Sequence, residues 1–100
     1  MYVIAWEFII RTECVVQFEA TYGPQGEWAR LFSQAEGYGE TRLLRDITDC
    51  GRYVTLDYWK SREAYDHFRT THAGEYKALD ERCERLTVKE QKLGEFLSGQ

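Results

Sequence analysis

The sequence predicts an α+β domain in the order β-α-β-β-α-β, an antiparallel sheet with its helices on one face. Three observations predict it. The opening run YVIAWEFII is dense in β-branched and aromatic side chains, which suit a pleated surface. Two further alternating segments are joined by the turn sequence Thr48-Asp49-Cys50-Gly51, so they pair as a hairpin. The stretches between strands carry apolar residues at three- and four-residue spacing, the mark of amphipathic helices.

Residues Tyr2 to Ile10 form the first strand. One face carries Tyr2, Ile4, Trp6, Phe8 and Ile10, the other Val3, Ala5, Glu7 and Ile9. Both faces are apolar apart from Glu7, which predicts that both are covered. Thr12 is placed to cap the first helix, with Glu13 in its first turn. Val15, Phe18 and Tyr22 give that helix its stripe, and Gly23-Pro24 ends it, because proline disfavours helical geometry in the residue before it. A short second helix follows Gly26, with Trp28, Leu31, Phe32 and Ala35 on one side, and Gly37 and Gly39 mark its exit.

Tyr38 to Ile47 is the second strand and Arg52 to Trp59 the third, with Tyr53, Thr55, Asp57 and Trp59 sharing a face. Ser61 is an N-cap and Glu63 sits in the first turn of the next helix. Its stripe is Ala64, Tyr65, Phe68 and His72; a break is expected near Ala73-Gly74, after which Tyr76, Leu79, Cys83 and Leu86 continue. Thr87 to Leu97 is the last strand, its polar first half suited to an exposed edge or an arm reaching a partner. This order is ferredoxin-like. The sheet face away from the helices would carry large apolar residues, too many to leave wet, and pairing two such faces gives a homodimer with a central barrel. The pattern does not say which face meets the helices.

The 100 residues fit a single domain spanning residues 1–100. A hydrophobic share of 43% with 30% charged residues is a globular composition. The net charge of −4, from 17 acidic and 13 basic residues, argues against a nucleic-acid partner, which calls for a basic surface. Cys14, Cys50 and Cys83 are widely spaced and form no CxxC, so neither a disulfide framework nor a metal site is expected, and reduced thiols point to the cytoplasm. The apolar N-terminal run is too short to span a bilayer and lacks the marks of a leader, so no membrane partner is expected.

Several segments together resemble one known family. They are IAWEFII, FEATYG, GEWARLF, GYGETRLLRD, RYVTLDYW, SREAYDHF and ERLTVKEQKLGEF, and they cover nearly the whole chain. The strand closing on a tryptophan followed by Ser-x-Glu-Ala-Tyr-x-x-Phe is the most telling. The chain resembles the antibiotic-biosynthesis-monooxygenase-like family of the dimeric α/β-barrel superfamily. The resemblance implies a homodimer with a ligand cavity between sheet and helices. It also implies either oxidation of aromatic compounds by molecular oxygen with no metal or flavin cofactor, or haem degradation. Haem-degrading relatives combine an asparagine in the first strand with a tryptophan and a helical histidine. Trp59 and His72 could supply the last two, but the chain contains no asparagine, which argues against that activity.

Asp57 is a candidate base for a phenol or enol, since a carboxylate beside aromatics has a raised pKa; the structural alternative is an ion pair with Arg42 or Arg45. His72 is a second candidate base or shuttle, the alternative being a helix-end histidine bonded to the last carbonyls. His67 lies to the side of that stripe. Trp59 could wall a pocket for a planar substrate and donate its indole N–H, or simply cover the end of the sheet. Trp28, Tyr65 and Tyr76, with Tyr22 and Tyr38, could line the same cavity or belong to the core. Glu7 enters a pocket or pairs across the dimer. No phosphate-binding loop, dinucleotide fingerprint or nucleophile elbow is present. Two functions follow: a cofactor-independent monooxygenase of a small aromatic or enolic compound, or a non-catalytic dimeric protein that binds a small hydrophobic ligand or haem.

Overall fold

The structure is a computed structural model that describes residues 1–99. Four antiparallel strands form one sheet in the order β2-β3-β1-β4, with β1 at Tyr2–Ile10, β2 at Tyr38–Arg45, β3 at Arg52–Trp59 and β4 at Thr87–Leu97. Between β1 and β2 lie α1 (Val15–Tyr22) and α2 (Glu27–Phe32); between β3 and β4 lie α3 (Arg62–Thr71) and α4 (Ala73–Cys83). Single 3₁₀ turns at Thr12–Cys14 and Glu84–Leu86 lead into α1 and out of α4. The ferredoxin-like reading therefore holds, with β1, the most apolar segment, in the interior of the sheet.

Strand boundaries follow local chemistry. β1 and β3 have the expected limits. β2 stops at Arg45, two residues early, because the Asp46 carboxylate accepts hydrogen bonds from the backbone N–H groups of Thr48 and Asp49 at 2.8 and 3.1 Å. That side-chain turn competes with the ladder. Thr12 caps nothing: Arg11 occupies the cap position of the opening turn and makes no side-chain cap bond. Ser61 does cap α3, its Oγ accepting from the Ala64 N–H at 3.1 Å. The α3–α4 break falls at His72, which leaves helical geometry at φ −116°, ψ 29°, one residue before the expected point.

Period-two alternation decides what each strand face meets. Tyr2, Ile4, Phe8 and Ile10 of β1 and Tyr53 and Trp59 of β3 join Phe18, Tyr22, Trp28, Phe32, Phe68 and Leu79 of the helices in one core. This is the face that the helices cover. Phe18 and Tyr22 stack at 4.4 Å, and Phe8 meets Tyr22 at 4.8 Å. Two close approaches require glycine. A Cβ on Gly26 would sit 2.3 Å from the Thr21 carbonyl oxygen, and one on Gly37 2.3 Å from the Ala64 Cβ. The first lets α2 turn back against α1; the second lets the entry to β2 pass under α3.

On the opposite face Glu7 is held within the chain, accepting from Arg52 Nε at 2.6 Å, while Arg52 also reaches Asp46 at 3.2 Å. Around this pair stand Ile9, Leu44, Val54, Leu56, Tyr58 and Phe96, with Leu44 48% and Phe96 52% exposed. No helix is long and apolar enough to cross a membrane among the described residues.

Candidate functional site

A cavity opens between the helix-facing side of the sheet and the helices. Its floor is Trp6 and Phe8 of β1, Thr41 of β2, and Thr55 and Asp57 of β3. Its walls are Tyr22 of α1, Trp28 and Phe32 of α2 and Tyr76 of α4, and Asp80 and Glu90 stand at the rim. Its enclosed space is about 40 Å³, and about 400 Å³ when the solvent in its open mouth is counted.

Asp57 is the buried carboxylate on the floor of this cavity. It is 8% exposed, and its one protein hydrogen bond comes from Thr41 Oγ1, which donates to Oδ1 at 2.9 Å. Neither Arg42 nor Arg45 reaches it: Arg42 pairs with Glu40 at 3.3 Å and lies over the Tyr58 ring on the other face. Loss of water pushes the Asp57 carboxyl up to about 6, against the smaller opposing effect of the Thr41 bond. Thr41 has one hydroxyl proton and commits it to Asp57. The 2.8 Å contact between Thr41 Oγ1 and the Tyr38 hydroxyl is therefore donated by Tyr38. Tyr38, Thr41 and Asp57 form a chain of hydrogen bonds from a half-buried phenol to a buried carboxylate.

The phenols around it stay protonated near neutral pH. Burial raises Tyr22, Tyr38 and Tyr76 above the ordinary tyrosine value. They offer hydrogen bonds and aromatic surface rather than a base. The indole N–H of Trp28 is buried with no partner in the protein. A buried donor left unpaired is costly, and the Trp59 indole N–H inside the core is in the same position.

The structure brings together three of the six candidates, Asp57, Trp28 and Tyr76, and leaves the other three outside the cavity lining. Trp59 shares the strand face of Asp57 but is 0% exposed, enclosed by Phe32, Tyr38, Tyr65 and Phe68 at 5.3–5.4 Å. Tyr65 stands behind Trp59 and accepts from Arg69 at 3.1 Å. His72 stacks on Phe68 and its Nδ1 meets Glu75 at 2.7 Å, at the α3–α4 junction. His67 is exposed. The helix stripe put His72 on the Phe68 side of α3, where it stacks on Phe68 but does not line the cavity.

Trp6, Phe8, Phe32, Thr41, Thr55, Asp80 and Glu90 line the cavity without having been singled out as site residues. Thr41 was within reach of sequence reasoning. Pairing Arg45 with Tyr53 across the hairpin turn and counting back in steps of two puts Thr41 opposite Asp57, as the register shows. No comparable signal exists for Asp80 and Glu90, which look like ordinary surface acids.

The sequence profile of the antibiotic biosynthesis monooxygenases matches residues 1–81. Among curated protein sequences none matches this chain. Solved structures share the fold at low identity. A variant of SnoaB, a cofactor-independent oxygenase from Streptomyces nogalater, superposes with a TM-score of 0.71 at 20% identity, over 99% of this chain and 93% of that one. A candidate antibiotic biosynthesis monooxygenase from Deinococcus radiodurans gives 0.76 at 13% identity, over 100% and 94%. PA3566 from Pseudomonas aeruginosa gives 0.68 at 12%, over 99% and 94%. With a profile match across four-fifths of its length, a ferredoxin-like sheet and an aromatic cavity beneath its helices, this chain belongs to the antibiotic biosynthesis monooxygenase family.

Proposed function

We propose that the protein is a cofactor-independent monooxygenase of a small aromatic or enolic compound, with Asp57 as the catalytic base. The observation that carries this reading is the buried carboxylate itself: one oxygen is held by Thr41, in a cavity otherwise walled by aromatic rings. A carboxyl at about 6 is ionised at neutral pH yet more basic than an exposed aspartate, which suits general-base work. Asp57 takes a proton from an acidic C–H or O–H of the substrate, and the resulting anion transfers an electron to O2. Radical recombination forms a C–O bond, giving a peroxide. Where the carbon is a methylene, loss of water leaves a carbonyl: one oxygen atom enters the product, the other departs as water, and the substrate supplies all four electrons. The protein contributes position, a dry surround and a proton path through Thr41 and Tyr38.

The same reading has the protein working as a homodimer. The open sheet face, with Leu44, Val54, Leu56 and Phe96 at its surface, is the apolar patch a second copy would cover. Phe96 lies across Gly94, its ring 3.0 Å from where a Cβ there would stand, so it presents a flat surface. Native mass spectrometry should give twice the chain mass, and Leu56→Glu should shift it to a monomer. A wild-type monomer refutes the assembly.

Oxygen uptake tests the chemistry, using a panel of phenols, naphthols and β-dicarbonyl enols with ¹⁸O2. One labelled atom in the product and one in water is the expected outcome for any accepted compound. Ligands that bind without oxygen uptake would instead indicate a binding protein.

A further inference from the structure

We infer that the cavity takes a ligand bearing a positively charged amino group on its aromatic or enolic body, the ammonium held at the rim by Asp80 and Glu90 and the ring inside against Trp6, Trp28 and Tyr76. This rests on the cavity being the ligand site and adds the charge class of what enters.

The charge of the lining is one-sided. Six of the eleven lining residues are aromatic, two are threonines and three are carboxylates; none is Lys, Arg or His. The rim acids come from elements far apart in sequence, Asp80 from α4 and Glu90 from β4, and Glu90 also feels Glu84. Among the described residues, Asp80, Glu84 and Glu90 have no cation within 4 Å. Two of the cations that flank them in sequence pair elsewhere, Arg82 with Glu27 at 3.1 Å and Lys92 with Glu95 at 2.6 Å, while Lys77 and Lys89 are in no ion pair among the described residues. Arg69 is felt by Asp80, but it lies over the Tyr76 ring, 3.8 Å from its centre, and donates to Tyr65.

Like charges gathered at the edge of an apolar cavity repel one another, and the attraction of Arg69 offsets this only on the Asp80 side. The repulsion shows in the Glu90 carboxyl, raised first by loss of water and then by Asp80 and Glu84. An ammonium entering there meets unpaired carboxylates beside tryptophan and tyrosine faces, the combination that recognises organic cations. An anion of the same shape meets uncompensated repulsion. Asp57, on the cavity floor rather than the rim, stays free for the body of the ligand.

Three ligands of one shape test this: naphthylmethylamine, naphthylmethanol and naphthoate, titrated calorimetrically at neutral pH. The amine should bind roughly tenfold more tightly than the alcohol, the naphthoate most weakly, and the amine's advantage should shrink with added salt. In Asp80→Asn/Glu90→Gln, a near-isosteric change at a half-buried and an exposed position, the amine and alcohol affinities should converge. An amine that binds no better than the alcohol, or a preference that survives in the double variant, overturns the inference and leaves the cavity reading standing. Binding of none of the three overturns the cavity reading itself.

Discussion

Asp57→Asn should stabilise the protein and silence it together. The side chain is 8% exposed and keeps one hydrogen bond, so its ionisation is disfavoured by the fold. A carboxyl at about 6 against an ordinary 3.8 corresponds to roughly 3 kcal/mol between its two protonation states. The folded chain binds the proton more tightly than the unfolded chain. Between those two values the native state therefore holds more protons, and stability falls as pH rises through that window. Below it the wild-type carboxyl is neutral and costs nothing; above about 6 the full penalty applies. Asparagine keeps the shape and the acceptor for Thr41 but cannot ionise. Urea titrations at fixed protein concentration should find wild type and variant close together at pH near 4, and the variant more stable at pH near 8 by up to about 3 kcal/mol. Oxygenation should be lost, and the wild-type rate should rise with pH through about 6 as the base deprotonates. A stability difference between the two that does not change from pH 4 to 8 would refute the reasoning, because the buried charge would then carry no cost.

Thr41→Val removes the donor that favours the Asp57 carboxylate. It should move the acid limb of the rate profile to higher pH and destabilise the neutral-pH protein by about 1–3 kcal/mol; Thr41→Ser should restore both. Trp59→Ala should cost about 3–5 kcal/mol in denaturant titrations, as a fully enclosed aromatic does, while Trp59→Phe should retain most of the ligand affinity, since Trp59 does not line the cavity. Ser61→Ala should lower stability by about 1 kcal/mol through loss of the α3 cap. In a domain of this size calorimetry should read that as a fall in Tm of about 4–8 °C.

Local chemistry was legible where neighbours in sequence decide it. The limits of β1 and β3, the Ser61 cap and the end of α1 before Pro24 depend on the φ/ψ preferences and hydrogen bonds of a few adjacent residues. Where local signals compete, the reading slipped by a residue or two. Asp46 drew the backbone of Thr48 and Asp49 away from β2, and Arg11 rather than Thr12 stands at the entrance to the first turn.

The sequence by itself determined the order of elements and which residues share a strand face: Thr55, Asp57 and Trp59 together, Val54, Leu56 and Tyr58 together. Alternation encodes that much because its period is two whatever lies above the sheet. Only the tertiary structure decided which face the helices cover. It thereby made Asp57 a buried carboxylate, gave Trp59 to the core and left Leu56 on the open face of the sheet. It also decided that Asp80 and Glu90, on α4 and β4, meet at the mouth of a cavity floored by β1 and β3. That meeting depends on β4 returning to pair with β1, a contact between chain segments roughly eighty residues apart that no local pattern records.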